Sequence, residues 1–271
     1  MPAAIENRAA LAAKLILSSR ATGIPLSQLP ELCRPTTAEQ AYAIQDEVIR
    51  ALGPVGGWKV GAKTHHGEPT CAPLPQATIF KTPATLDSKC FPLRGLEIEV
   101  GFVLNADLPL TTRPYTLSDV LTAVGYVCAA IEIVESRFLD RHQVDYLSTL
   151  ADMASHGGLV YQTGGPDTQS VDLSPATQAS LSLSTISKVA AISQNAAGDV
   201  LRLLPWLANH AAQRHGGLRK GQVIITGSCM PMLFALPEED VTAEIEGLGK
   251  LSLHFNNTNQ PIRQTKRSLL P

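Results

Sequence analysis

Residues 96–104 read LEIEVGFVL. Leu96, Ile98, Val100, Phe102 and Leu104 fall on one side of a two-residue period; Glu97, Glu99, Gly101 and Val103 fall on the other. That alternation predicts a β-strand and sets two carboxylates on one face, about 6.6 Å apart along the chain. Residues 130–136, AIEIVES, predict a second strand with Glu132 between Ile131 and Ile133. Carboxylates in such apolar surroundings repel one another, and their burial is costly unless a cation intervenes. Two readings stay open on spacing alone. Glu97, Glu99 and Glu132 can converge into a hard, all-oxygen site suited to Mg²⁺ or Mn²⁺. Alternatively, the glutamates mark the solvated face of an edge strand.

Upstream, residues 57–62 (GWKVGA) predict a strand-like piece between glycines, with Lys59 between Trp58 and Val60. A lysine so placed needs a carboxylate partner or a task, unless it points outward from an edge. The spacing does not make a phosphate loop, because Ala62 separates Gly61 from Lys63. His65–Pro75 carries Gly67 and three prolines and is expected to be a loop. In it, His66 and Glu68 form a candidate general acid/base pair or simply a polar loop. Downstream, residues 152–158 (DMASHGG) combine Asp, Ser and His with glycines that permit close backbone approach to a ligand. A Ser-His-Asp triad is disfavoured, since Ser155 and His156 are adjacent and no G-x-S-x-G turn is present.

The remaining pattern is helices first, then many strands. Helices are expected over Ile5–Ser19, over Ala38–Leu52 with Thr36 and Glu39 as a capping box, over Leu117–Val127 with Thr116 and Asp119 likewise, and over Asp199–His215. Ser180–Leu183 and Val189–Ser193 predict a hairpin; Val223–Thr226, Val241–Ile245 and Leu251–Phe255 predict late strands. This order argues for an α+β fold with a large mixed or antiparallel β body. The chain of 271 residues is 44% apolar and 17% charged, which excludes wholesale disorder. With 22 basic and 24 acidic residues and no broad basic field, nucleic acid is not an expected partner. No membrane span and no secretory leader are expected. Five scattered cysteines without a C-x-x-C read as free thiols in a reducing cytoplasm.

Taken in order, GWKVGA, LEIEVGFVLNADLP, AAIEIVESR, ADMASHG, VIITGSCMPM and DVTAEIEGLGKLSLHF resemble the 2-keto-4-pentenoate (2-hydroxypentadienoate) hydratases. These belong to the hydratase/decarboxylase branch of the fumarylacetoacetate hydrolase superfamily, and the resemblance runs from about Ala38 to Phe255. It implies a mixed β-roll or sandwich over residues 56–271 with an N-terminal helical cap over residues 1–55. It implies Mg²⁺ or Mn²⁺ on Glu97, Glu99 and Glu132, with Lys59 assisting proton transfer and Ser155 donating a hydrogen bond to substrate. The activity implied is addition of water, in catabolism, to a 2-hydroxy-2,4-dienoate or 2-oxo-4-enoate through a metal-stabilised enolate. Alternatives are decarboxylation of a 4-oxalocrotonate-like acid, acylpyruvate-type C–C hydrolysis using His66 and Glu68, or a catalytically silent scaffold partner. The partners implied are a small 2-oxo acid, further copies of the chain in a homo-oligomer, and a pathway enzyme in complex. The chain departs from the family pattern in three places. Residues 67–74 (GEPTCAPL) lack the acidic and aromatic residues of the family loop, Met230 replaces a glycine, and His156 stands where a small residue is common. Met230 is therefore expected to narrow the substrate pocket and His65–Pro75 to cover it, favouring a substrate bulkier than pentadienoate.

Overall fold

The computed structural model describes residues 2–171, 173, 178–192 and 195–257. Two helices come first, α1 (Pro2–Thr22) and α2 (Ala38–Leu52). The cap of α2 is shifted by one residue from the expected box. Thr37 Oγ1 accepts the Gln40 amide at 3.3 Å, and the Gln40 side chain accepts from the Thr36 amide at 2.8 Å. Gln40 rather than Glu39 turns back on the cap, and it takes the amide of Thr36, the residue before the N-cap, so the box is not closed on Thr37 itself. Gly53 ends the helix with φ 104°, a conformation costly for any side chain.

The β body follows: β1 (Val55–Gly61), β2 (Thr70–Pro75), β3 (Ile79–Lys81), β4 (Ala84–Asp87), β5 (Gly95–Leu104) and β6 (Leu108–Pro109). Helix α3 (Leu117–Ala123) leads into β7 (Val124–Val134), and α4 (Tyr146–Ala151) into β8 (His156–Tyr161). The hairpin β9 (Gln178–Leu183) and β10 (Ile186–Ile192) precedes α5 (Leu203–His215). The chain closes with β11 (Gly217–Leu218), β12 (Val223–Ser228), β13 (Leu233–Phe234), β14 (Asp240–Ile245) and β15 (Gly249–Asn256). Ser193, the last residue of the expected hairpin, lies outside the described residues.

Among the described residues the main sheet runs β2-β1-β12-β5-β7-β8-β3, with β13 also on β5. A second sheet runs β10-β9-β14-β15-β4 and packs on β7 and β8. Parallel pairs (β1 with β12, β3 with β8, β4 with β15) sit among antiparallel ones, which makes both sheets mixed. One apolar core extends from Ala9, Ile16 and Val48 of the helices through Trp58, Ile98, Phe102 and Ile131 to Phe255. The helices are thus packed on the β body. The expected mixed β architecture with helices at its N-terminal side is what the chain forms.

Two further expectations are overturned. Residues 124–127 continue β7 rather than α3. Leu117–Ala123 is a complete helix with its Thr116/Asp119 capping box, and the valines after it extend the ladder with β5. Residues 70–75 are strand β2 rather than loop, paired antiparallel with β1 in the register Trp58↔Pro73 and Val55↔Pro75. Prolines are tolerated there because β2 is an edge, where a missing N–H removes no ladder bond. Helix α2 covers that edge: buried Gln45 donates from Nε2 to Cys71 O at 3.2 Å and to Leu150 O at 2.6 Å.

Helix α5 is locked to α2 by a ring cluster. The His210 ring lies 4.6 Å from Tyr42 and stacks on Trp206 at 4.9 Å. Burial, with Arg214 and His215 adding, lowers the His210 pKa to about 4. An unfolded imidazole binds its proton below about 6.5. The stability this group contributes is therefore full above about pH 6.5 and falls as pH drops toward about 4. His210→Phe is expected to flatten that part of the pH–stability curve, measured as urea midpoints between pH 7 and pH 5.

Candidate metal centre

Strands β5 and β7 pair antiparallel with Glu97 directly opposite Glu132, and the two-residue period puts Glu99 on the same face. One ligand oxygen from each of the three carboxylates lies within 4.8 Å of the others. Glu99 and Glu132 are buried and Glu97 is half-buried. The convergence expected from the motif is therefore present, and the solvated-edge reading fails because β5 and β7 are central strands.

The electrostatics show how far the group is from tolerating three free charges. Burial pushes Glu99 well above the usual carboxylate range; the nearby Glu132 and Glu97 push the same way, against Lys59. Burial also raises Glu97, with Lys59 opposing. Glu132 goes the other way: burial disfavours its charge, but Lys59 and His156 outweigh it and lower the pKa. The burial and repulsion that disfavour the Glu99 charge are what a divalent cation would relieve. Hard, buried, self-repelling oxygen donors of this kind fit such an ion.

Lys59, on β1, reaches across the sheet. Its Nζ lies 2.5 Å from Glu132 Oε2 and donates to Ala154 O at 3.0 Å. Burial pulls its pKa down, but Glu132, Glu97 and Glu99 outweigh burial and raise it. Two of its three N–H donors are used, and one is free among the described residues.

The Ala154 carbonyl is presented by an unusual turn. Met153, Ala154 and Ser155 all have left-handed φ, at 51°, 49° and 62°. Runs of non-glycine residues there are strained and persist only when held in place. Buried Asp152 does the holding: its carboxylate takes the Arg137 backbone N–H at 3.0 Å and Arg137 Nε at 2.6 Å. Asp152 is thus committed to Arg137 and belongs to no triad. Ser155 is buried, and its hydroxyl has no hydrogen-bond partner among the described residues. The Arg137–Asp152 anchor carries no periodic or motif signal that sequence reading could have used.

His156, which the sequence marks as a departure from the family pattern and an improbable triad member, stands at the start of β8. It is fully buried, with Nδ1 2.9 Å from Glu132 Oε1 and Nε2 2.9 Å from Thr78 Oγ1. Burial lowers its pKa to about 4, against Glu132, so the ring is neutral. Next to it, a Cβ on Gly157 would lie 2.7 Å from Glu135 Cγ and 2.8 Å from Ile133 O. Gly157→Ala is expected to cost about 1–3 kcal/mol by overpacking, read from denaturant unfolding.

The other expected site residues make no hydrogen bond to the three glutamates among the described residues. His66 and Glu68 are exposed and do not bond to each other among the described residues. Glu68 instead accepts from Trp206 Nε1 at 2.8 Å, and Arg202 ties Thr64 O and Gly67 O at 3.0 and 3.2 Å. The segment is strapped to α5 and the turn before it. With residues 70–75 in the sheet, only the stretch around residues 62–69 is left as a cover. Met230 is 5% exposed, its side chain packed in the main core. No disulfide links the five cysteines. No helix among the described residues is long and apolar enough to cross a membrane.

A mixed two-sheet body with three glutamates at adjacent strands defines a class, and the comparisons agree with it. The structure superposes on 4-oxalocrotonate decarboxylase from Pseudomonas putida G7, complexed with magnesium and adipate, with a TM-score of 0.78 at 23% identity, covering 92% of this chain and 97% of that one. The fold is that of the fumarylacetoacetate hydrolase superfamily. In sequence the chain is 29% identical to a 2-keto-4-pentenoate hydratase of Burkholderia vietnamiensis over 92% of its length and 98% of that protein. It is 28% identical to a 4-oxalocrotonate decarboxylase of Pseudomonas putida over 81% of its length and 86% of that protein. In sequence the chain is thus similar to both a hydratase and a decarboxylase of the branch that the motif order resembles. No family model matches the chain.

Proposed function

We propose that the chain is a divalent-metal-dependent hydro-lyase that adds water to a 2-hydroxy-2,4-dienoate or its 2-oxo-4-enoate form. The observation that carries this is the buried Glu97, Glu99 and Glu132 cluster with Lys59 against it, in a chain that aligns nearly end to end with a 2-keto-4-pentenoate hydratase. Glu97, Glu99 and Glu132 would hold the ion, Mg²⁺ or Mn²⁺. Bound there, it supplies Lewis-acid polarisation to the carboxylate and 2-oxo group of the substrate. Lys59, kept protonated by the carboxylates around it, offers its third N–H to a substrate oxygen and stands ready as a proton donor. The free hydroxyl of Ser155, fixed by the left-handed turn, offers a further hydrogen bond.

A decarboxylase acting on a 4-oxalocrotonate-like diacid uses the same chelating end, and the Pseudomonas putida relative favours it as the second reading. C–C hydrolysis through His66 and Glu68 has less support, since Glu68 is taken by Trp206. The same reading carries a homo-oligomer in the cytoplasm, supported by exposed apolar side chains at Ile24, Leu139 and Phe234. The test is product mass after incubating metal-loaded protein with 2-hydroxypenta-2,4-dienoate, longer homologues, 4-oxalocrotonate and acylpyruvates. Gain of one water is the expected result. Loss of carbon dioxide assigns the decarboxylase, and no turnover of any of them by metal-loaded protein overturns the assignment as an enzyme of this class.

A further inference from the structure

The Glu132 carboxylate is gripped from both sides. Lys59 holds Oε2 at 2.5 Å, and the ring of His156 holds Oε1 at 2.9 Å. Hydrogen counting fixes the direction of the second bond. A carboxylate can only accept, so His156 Nδ1 carries the hydrogen. On the other side of the ring, Thr78 Oγ1 lies 2.9 Å from Nε2. The same hydroxyl donates to Pro75 O at 2.8 Å, which fixes Oγ1 against the ring. The backbone is held as well: the His156 carbonyl accepts from Arg20 Nη2 at 3.0 Å. Three distant segments (the end of α1, the turn after β2, and the start of β8) thus fix one imidazole whose single function-facing contact is Glu132.

We propose that His156, oriented by Thr78, is the positioning residue that sets the divalent-metal affinity of this centre, by holding the Glu132 carboxylate in the orientation of a ligand. The proposal rests on the metal reading above. Partners that orient a metal ligand are worth roughly ten- to a hundredfold in metal affinity. Glu97 and Glu99 have no such clamp: Glu99 takes one backbone N–H, from Gly227 at 2.5 Å, and for Glu97 no hydrogen bond is found among the described residues. Loss of His156 therefore leaves Glu132 with Lys59 alone, which draws its carboxylate toward the ammonium and away from the other two.

The experiment is Mn²⁺ titration of the full chain, followed by electron paramagnetic resonance of the free ion, for wild type, His156→Ala, His156→Asn and Thr78→Val. His156→Ala is expected to weaken Mn²⁺ binding about ten- to a hundredfold. His156→Asn, whose amide N–H can replace Nδ1–H, should recover most of that, and Thr78→Val should fall between wild type and His156→Ala. Thermal melts of the metal-free proteins run alongside. If His156→Ala melts lower but binds Mn²⁺ as wild type does, the ring only fills space and the proposal is overturned. It is equally overturned if His156→Asn binds as poorly as His156→Ala while folding normally. Should Thr78→Val and the His156 variants fail to bind together with wild type, it is the metal reading itself that falls.

Discussion

Glu99→Gln should abolish metal-dependent turnover while leaving the protein folded and, without metal, no less stable than wild type. Glu99 is buried beside Glu97 and Glu132, and its ionised form is the most disfavoured of the three. A neutral amide of the same shape removes that repulsion and can still accept the Gly227 N–H. What it cannot do is supply anionic charge to a cation. We expect at least about a thousandfold loss of kcat/KM, some 4 kcal/mol of transition-state stabilisation. Addition of Mg²⁺ or Mn²⁺ should raise the melting temperature of wild type and leave that of the variant unchanged. A variant that melts well below wild type without metal would mean that Glu99 holds the fold rather than an ion.

Lys59→Met should be inactive and, in contrast, clearly less stable. Its ammonium is the only cation hydrogen-bonded to Glu132 among the described residues, and the Glu132 side chain is wholly buried. Removing one partner of a buried pair leaves an uncompensated charge, at a cost of about 3–5 kcal/mol. A divalent ion bound beside Glu132 replaces the missing positive charge. Metal should therefore raise the melting temperature of Lys59→Met by more than it raises that of wild type. Equal shifts would place the ion away from Glu132, and full activity would return Lys59 to a surface role.

The contrast between these two variants marks what could be read in advance. Glu97 and Glu99 are legible because a strand's period of two is local: their shared face follows from counting. Lys59 stands out for the same reason, as a charge inside a short apolar run. That Glu132 meets them depends on the β5–β7 register, which sets it opposite Glu97 and which spacing does not encode. The motif order supplied that link, not the periodicity. His156 was beyond reach, because its contacts to Glu132, Thr78 and Arg20 join segments 24, 78 and 136 residues apart. The misread stretches fail for local reasons. Pro73 and Pro75 signal a loop unless the strand is an edge, and edge status is a property of the whole sheet. Thr36 and Thr37 both precede the helix by a suitable spacing, and only the side-chain geometry of Gln40 chooses between them. Val124 to Val127 fit a helix or a strand equally well by pattern, and pairing with β5 decides.

The most direct test of the metal centre is anomalous diffraction from crystals of the wild-type protein grown with Mn²⁺. A single strong peak bounded by the carboxylates of Glu97, Glu99 and Glu132, with oxygens at about 2.0–2.6 Å, is the predicted result. No peak there at saturating Mn²⁺, with Glu132 still held between Lys59 and His156 and Glu99 turned away from it, would contradict the account.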